Sequence, residues 1–260
     1  MKKITLANSK GGCGKTTCTL GLVSILSSIE KKVLLFDLDP QANLTNSLIG
    51  NYIDSNKIEK WFKSNSTTEE LLNTFIQTDN LNVVLVPSWT ELANKVLSEL
   101  DKNSFGVTIF MKNIEKMQMI LNEIFDYIFF DTSPKADKLL TSMLLACDSI
   151  IVPIEPHLYS YQGIDVMTKP YQEAINSINS FGGLLTNNIK YYFVNKVKKA
   201  KFHDVMLELI SKSNIDDKLL NTMIPDTIFR QQETIINKYR ITEKNPFYNL
   251  YLELLEKDVL

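Results

Sequence analysis

The sequence predicts an α/β fold: a mostly parallel, twisted sheet with helices on both faces, built as a single domain over 1–260. Three observations lead there. Short apolar runs recur along the chain with helix-length stretches between them. The first run ends in a glycine-rich loop that opens directly into a helical stretch. No linker-like segment divides the chain.

The elements follow in order. Residues 2–7 read as a β-prone strand, and 15–29 as a helix carrying Leu20, Val23, Leu26 and Ile29 near helical spacing. Residues 33–37 form an unbroken apolar run ending in an acid, as expected of a strand buried on both faces. The same pattern returns at 83–86, 127–130, 149–154 and 190–194, and Met223 and Ile224 end a further short strand. Helices are expected near 68–77, 90–100, 107–123, 136–146, 160–178, 201–212, 229–238 and 247–256. Segment 54–67, with its lysines, serines and asparagines, reads as the most loop-like part of the chain. Trp61, Trp89 and the tyrosines at 159, 161, 191 and 192 are expected to be packing residues.

Hydrophobic residues make up 44% of the chain and charged residues 22%, enough for a full core. The formal net charge is -2, so nucleic acid would have to be met by a local basic patch. Cys13, Cys18 and Cys147 give an odd count without CxxC or Cys/His metal spacing, which suits reduced thiols. No stretch has the roughly 18 apolar residues of a membrane span, and no signal-peptide core is evident. A cytoplasmic location is therefore expected.

The strongest chemical signal is Lys10-Gly11-Gly12-Cys13-Gly14-Lys15-Thr16-Thr17, placed between a strand and a helix. That context is a phosphate cradle: glycines let the backbone curl until N–H groups point at phosphate oxygens. Lys15 is expected to reach the β- and γ-phosphates of ATP, and the Thr16 hydroxyl to sit on Mg²⁺. The generic pattern GxxxxGK[ST] asks for glycine at position 9, where Ser9 stands.

Two strand ends supply carboxylates. Asp37 and Asp39 close the second strand in Phe36-Asp37-Leu38-Asp39-Pro40-Gln41, and Asp131 follows the apolar run 127–130. Acids in such buried positions are costly unless a metal, water or cation needs them. Asp131 is the expected Mg²⁺ carboxylate.

The loop at 10–17 resembles the deviant Walker A motif KGGxGK[ST], which marks a family that includes the ParA/Soj partition ATPases and MinD. That resemblance implies a P-loop NTPase fold and an ATP-bound homodimer in which Lys10 crosses to the partner's nucleotide. The DLDPQ run at 37–41 resembles the family's DxDPQ motif, which implies that Asp39 orients the attacking water and Asp37 supports the Mg²⁺ and water network. The family usually continues its third motif as DTPP or DxPP; here the chain reads Asp131-Thr132-Ser133-Pro134.

Further segments are similar to ParA/Soj proteins in particular. They are Pro87-Ser88 with 91–93, the stretch 146–156 followed by Gln162-Gly163, Val194-Asn195 and Ile224-Pro225. These imply that Asn195 reads the adenine edge and that Pro225 flanks the base. The chain begins almost at the loop, which resembles the small form without an N-terminal helix-turn-helix. That form implies non-specific, nucleoid-associated DNA binding in plasmid or chromosome segregation, with a ParB-like centromere-binding protein as the partner that stimulates slow hydrolysis.

Lys196, Lys198, Lys199 and Lys201, with Arg230, are the candidate DNA contacts. One departure bears on them: the turn is often followed by a basic residue, and here Asp226 follows. The alternative is a MinD-like membrane-associated positioning ATPase. It requires a C-terminal amphipathic helix with a basic face, whereas 245–260 carries three acids and one lysine.

Overall fold

The computed structural model describes residues 1–50, 58–89, 91–102, 105–156, 160–198, 215–226 and 246–260, with positions 205 and 208. Strands β1 (Lys2–Leu6), β2 (Val33–Leu38), β3 (Ile76–Gln77), β4 (Val83–Val86), β5 (Tyr127–Thr132), β6 (Ser149–Ile154), β7 (Ile189–Val197) and β8 (Leu219–Pro225) form one eight-stranded sheet. Its order is β3-β4-β2-β5-β1-β6-β7-β8, and every pairing is parallel except β3 with β4.

The period of two along each strand sorts side chains between two cores. Leu34, Phe36, Ile128, Phe130, Ile150 and Val152 face one layer; Leu35, Phe129 and Ile151 face the other. The first layer is covered by α4 (Leu92–Asp101), α5 (Ile109–Ile124), α6 (Lys138–Leu145) and α7 (Ser160–Ser180). The second is covered by α1 (Lys15–Ser28), α2 (Asn43–Ile49) and α8 (Pro246–Glu256). Parallel strands joined through such helices need both faces covered, which is why β2 is buried at all six positions.

α1 is buried on most of its circumference because α8 packs on its outer side. A Cβ at Gly21 would lie 2.5 Å from the Phe247 ring, so the close approach of the two helices requires glycine there. Glu253 of α8 accepts hydrogen bonds from the backbone N–H groups of Asn221 (2.7 Å) and Thr222 (2.8 Å) on the edge strand β8. The tail therefore packs as a core helix, with Phe247, Leu250 and Leu254 buried.

Two expectations change. The stretch 68–77 is a short helix, α3 (Thr68–Leu72), followed by β3. A capping box fixes the start of α3: Thr67 and Glu70 bond each other's backbone N–H groups. Antiparallel pairing with β4 at Ile76↔Leu85 takes the rest. The loop-like segment 54–67 is also corrected over its described part. Ile58–Phe62 is a 3-10 turn, and Ile58, Trp61 and Phe62 are fully buried. Trp61 meets Phe36 edge-on at 4.9 Å and donates from Nε1 to Thr74 Oγ1 at 2.9 Å. Asn113 of α5 donates to its carbonyl at 2.9 Å. The expected helices at 201–212 and 229–238 lie outside the described residues, apart from Val205 and Glu208.

Trp61→Ala removes this anchor. It is expected to lower unfolding stability by about 3–5 kcal/mol in urea titration, whereas a solvated loop would give a change near zero.

Candidate functional site

The site forms beyond the carboxyl ends of β1, β2 and β5, where the loop after β1 leads into α1 and where open parallel sheets bind ligands. Asn8, buried at the end of β1, donates to Pro153 O at 2.8 Å and accepts from the Lys10 N–H at 2.9 Å. This ties the loop to β6 at its start. Gly12 and Gly14 take φ of 76° and 86°, conformations that side chains resist, and Gly14 is the N-cap of α1. No side chain caps that end and the first turn holds no acid, so the helix presents N–H groups and its positive dipole end to an anion.

Lys15 is buried, and its Nζ donates to the loop carbonyls of Asn8 (3.0 Å) and Lys10 (3.4 Å). These are weak substitutes for phosphate oxygens. Cys13 is fully buried beside it, and burial raises its thiol above the ordinary value, which works against reactivity. At the far side, Asn195 Nδ2 donates to Cys13 O at 2.7 Å, and a Cβ at Gly14 would meet that amide at 2.4 Å. The end of β7 and the loop are therefore fitted to each other. Pro225, at the end of β8, is exposed, and Asp226 N–H donates to Val197 O at 2.9 Å, which holds the two strand ends together.

The acids converge. β2 and β5 run parallel with Asp37 opposite Asp131, both fully buried. Asp37 accepts from the Thr45 N–H (2.8 Å) and hydroxyl (2.7 Å) and from the Asp39 N–H (3.1 Å). Asp131 Oδ2 accepts from the Thr16 hydroxyl at 2.8 Å, while its Oδ1 is buried with no hydrogen-bond partner. Burial foremost, then the charge of Asp37, push Asp131 up to about 8. Burial pushes Asp37 up to about 6 against the hydrogen bonds from Thr45. An orphaned carboxylate oxygen next to the Thr16 hydroxyl, across from a second acid, is a fit for a divalent cation held by few protein ligands and completed by phosphate and water. Asp39 sits nearer the opening, with Oδ1 accepting from the Gln41 N–H at 2.9 Å.

Sequence reading missed three participants. Thr45 and Ser88 link Asp37, Asp39 and β4: Ser88 N–H donates to Thr45 Oγ1 at 3.0 Å and Ser88 Oγ to Asp39 O at 2.7 Å. Glu155, after β6, accepts from Lys10 Nζ at 2.6 Å and pairs with Lys196 Nζ at 3.0 Å. Lys196 also donates to Gly12 O. Lys196, expected among the DNA contacts, has its ammonium on Glu155 and the Gly12 carbonyl at the phosphate loop. Lys198 is exposed and paired with Asp226 at 3.1 Å. Lys199, Lys201 and Arg230 lie outside the described residues. Among the described residues no helix is long and apolar enough to cross a membrane.

Comparison with known proteins adds four likenesses. The family model AAA_31, an AAA domain, matches residues 1–182. The sporulation initiation inhibitor protein Soj of Bacillus subtilis is 26% identical over 224 residues, covering 82% of this chain and 85% of Soj. A plasmid partition protein of Borrelia burgdorferi B31, solved with AMPPNP, is 26% identical with a TM-score of 0.69, covering 99% of each chain. Apo McdA of Cyanothece shares the fold with a TM-score of 0.78 at 22% identity, covering 98% of this chain and 99% of McdA. The stretch matched by the family model contains the whole phosphate loop and both acidic strand ends, and it shows that this chain belongs to the ParA/Soj family of P-loop ATPases.

Proposed function

We propose that this ATPase is a DNA partition protein. ATP closes two copies face to face, the pair binds DNA without sequence preference, and a ParB-like partner triggers hydrolysis and release. The observation that carries the reading is the convergence of Lys10, Lys15, Thr16, Asp39 and Asp131 around one glycine loop, with Lys10 at its rim. The likeness to Soj and to the Borrelia partition protein supports it.

The cofactors are ATP and Mg²⁺. Gly11 to Thr17 and the N-terminal turn of α1 hold the phosphates, and Lys15 exchanges loop carbonyls for phosphate oxygens. Thr16 and Asp131, supported by Asp37, hold the cation, which neutralises charge on the phosphates during transfer. Asp39 orients the attacking water. Lys10 acts in the neighbour's site as a cationic finger; such fingers are worth about 10³–10⁵ in rate. Asn195 reads the adenine edge and Pro225 flanks the base. Lys198 belongs to the proposed DNA surface together with Lys199, Lys201 and Arg230. The packing of α8 against α1 and β8 favours this reading over a membrane-associated one, because Phe247, Leu250 and Leu254 of the helix are already buried in the core.

The test is sedimentation and fluorescence anisotropy with random-sequence duplex DNA. ATP should tighten DNA binding by about tenfold or more at low salt, with affinity falling steeply as salt rises. Asp39→Ala should trap the DNA-bound pair, and Lys10→Ala should abolish pairing. ATP-loaded wild type that gains no DNA affinity at low salt sinks the DNA part.

The carboxylate pair sets a pH dependence. Asp131, with an ordinary value of 3.8, is raised to about 8, so the folded protein holds a proton that the unfolded chain releases between those values. Stability of the nucleotide-free protein in EDTA therefore falls as pH rises through that window. Tm should drop by about 4 °C or more between pH 5.5 and 8.5. Asp131→Asn, which has no proton to lose, should show about half that drop or less.

A further inference from the structure

Lys10 does not reach freely into solvent in this structure. Its Nζ lies 2.6 Å from Glu155 Oε2 of the same chain, with side chains 25% and 17% exposed. The same carboxylate takes Lys196 on its other oxygen at 3.0 Å, and Lys196 is anchored in turn on the Gly12 carbonyl. Burial raises the Glu155 carboxyl, but the hydrogen bonds from Lys10 and Lys196 outweigh it and hold it below its ordinary value. Two cations thus share one acid at the rim of the phosphate loop.

We propose that Glu155 is a cis latch on Lys10: it retains the lysine in its own protomer until nucleotide-driven pairing draws it across, and Lys196 then keeps the carboxylate. The inference rests on the proposed crossing of Lys10. Its physical basis is the asymmetry of ion pairs. Removing one partner from a lone, half-buried pair strands a charge and is costly. Here Glu155 keeps a second cation, so releasing Lys10 costs less than breaking a lone pair. Lys196 lowers the barrier to release, while Glu155 raises it. The two residues should therefore act in opposite directions on pairing although they touch each other.

Both copies release a latch when they pair, so an effect per protomer is squared in the dimer. A mostly buried pair of this kind, 25% and 17% exposed, is worth about three- to tenfold per protomer. Glu155→Gln should lower the dimer dissociation constant, measured by analytical ultracentrifugation with AMPPNP and Mg²⁺, by about ten- to a hundredfold. Lys196→Ala should raise it. In the double variant Lys196→Ala should have no further effect, since no carboxylate remains to be kept.

A second readout needs no nucleotide. Acetylation of Lys10 by an amine-reactive ester, followed by mass spectrometry, should run about threefold faster or more in Glu155→Gln than in wild type. Wild type that pairs with AMPPNP while Glu155→Gln pairs no more tightly overturns the latch alone, as does unchanged Lys10 labelling. Wild type that stays monomeric with AMPPNP bound overturns the proposal together with the reading it rests on. An equal loss from Lys196→Ala in both backgrounds overturns the part given to Lys196.

Discussion

The parallel register of β2 on β5 sets Asp37 opposite Asp131 with both carboxyl groups buried, and much of the site can be understood as a response to that pairing. Two like charges at adjacent strand ends in low dielectric repel each other and lack water. The Thr45 hydroxyl and N–H are spent on Asp37, and the Thr16 hydroxyl on Asp131. One oxygen of Asp131 is left without a partner. Burial and this repulsion hold the Asp131 proton up to about 8, and a divalent cation could take its place beside the Thr16 hydroxyl of the phosphate loop.

The same reasoning explains the posture of the loop. Lys15 leans on the Asn8 and Lys10 carbonyls. Asn195 bonds the Cys13 carbonyl and Lys196 the Gly12 carbonyl. Each of these contacts uses a carbonyl of the loop segment and none uses a loop N–H group. The loop is held in shape through its carbonyls, so phosphate meets a cradle that is largely formed.

What was legible in the sequence was what is local. The strands at 33–37, 83–86, 127–130 and 149–154 are continuous apolar runs because parallel strands are buried on both faces, and the glycine loop has a fixed spacing. What stayed illegible depends on distant partners. Phe62 stands among lysines and serines, and although Trp61 beside it was expected to pack, only the helices around the segment make it part of the core. β3 is two residues long and exists through pairing with β4. Lys10 and Glu155 are 145 positions apart, and nothing in either neighbourhood marks them as a pair. The lysine cluster after β7 looked uniform in sequence, yet Lys196 turns to the loop and Lys198 to Asp226.

The carboxylate of Glu253 on the N–H groups of Asn221 and Thr222 has a consequence for how copies can meet. An unprotected border strand offers a template for continuous β-pairing between molecules. Among the described residues one border is stoppered by a side chain from α8, and the opposite border, β3, is only two residues long. Self-association by lateral sheet growth is disfavoured on both flanks. Both borders thus leave the strand tips, where the phosphate loop lies, as the part of the sheet open to the face-to-face pairing proposed above.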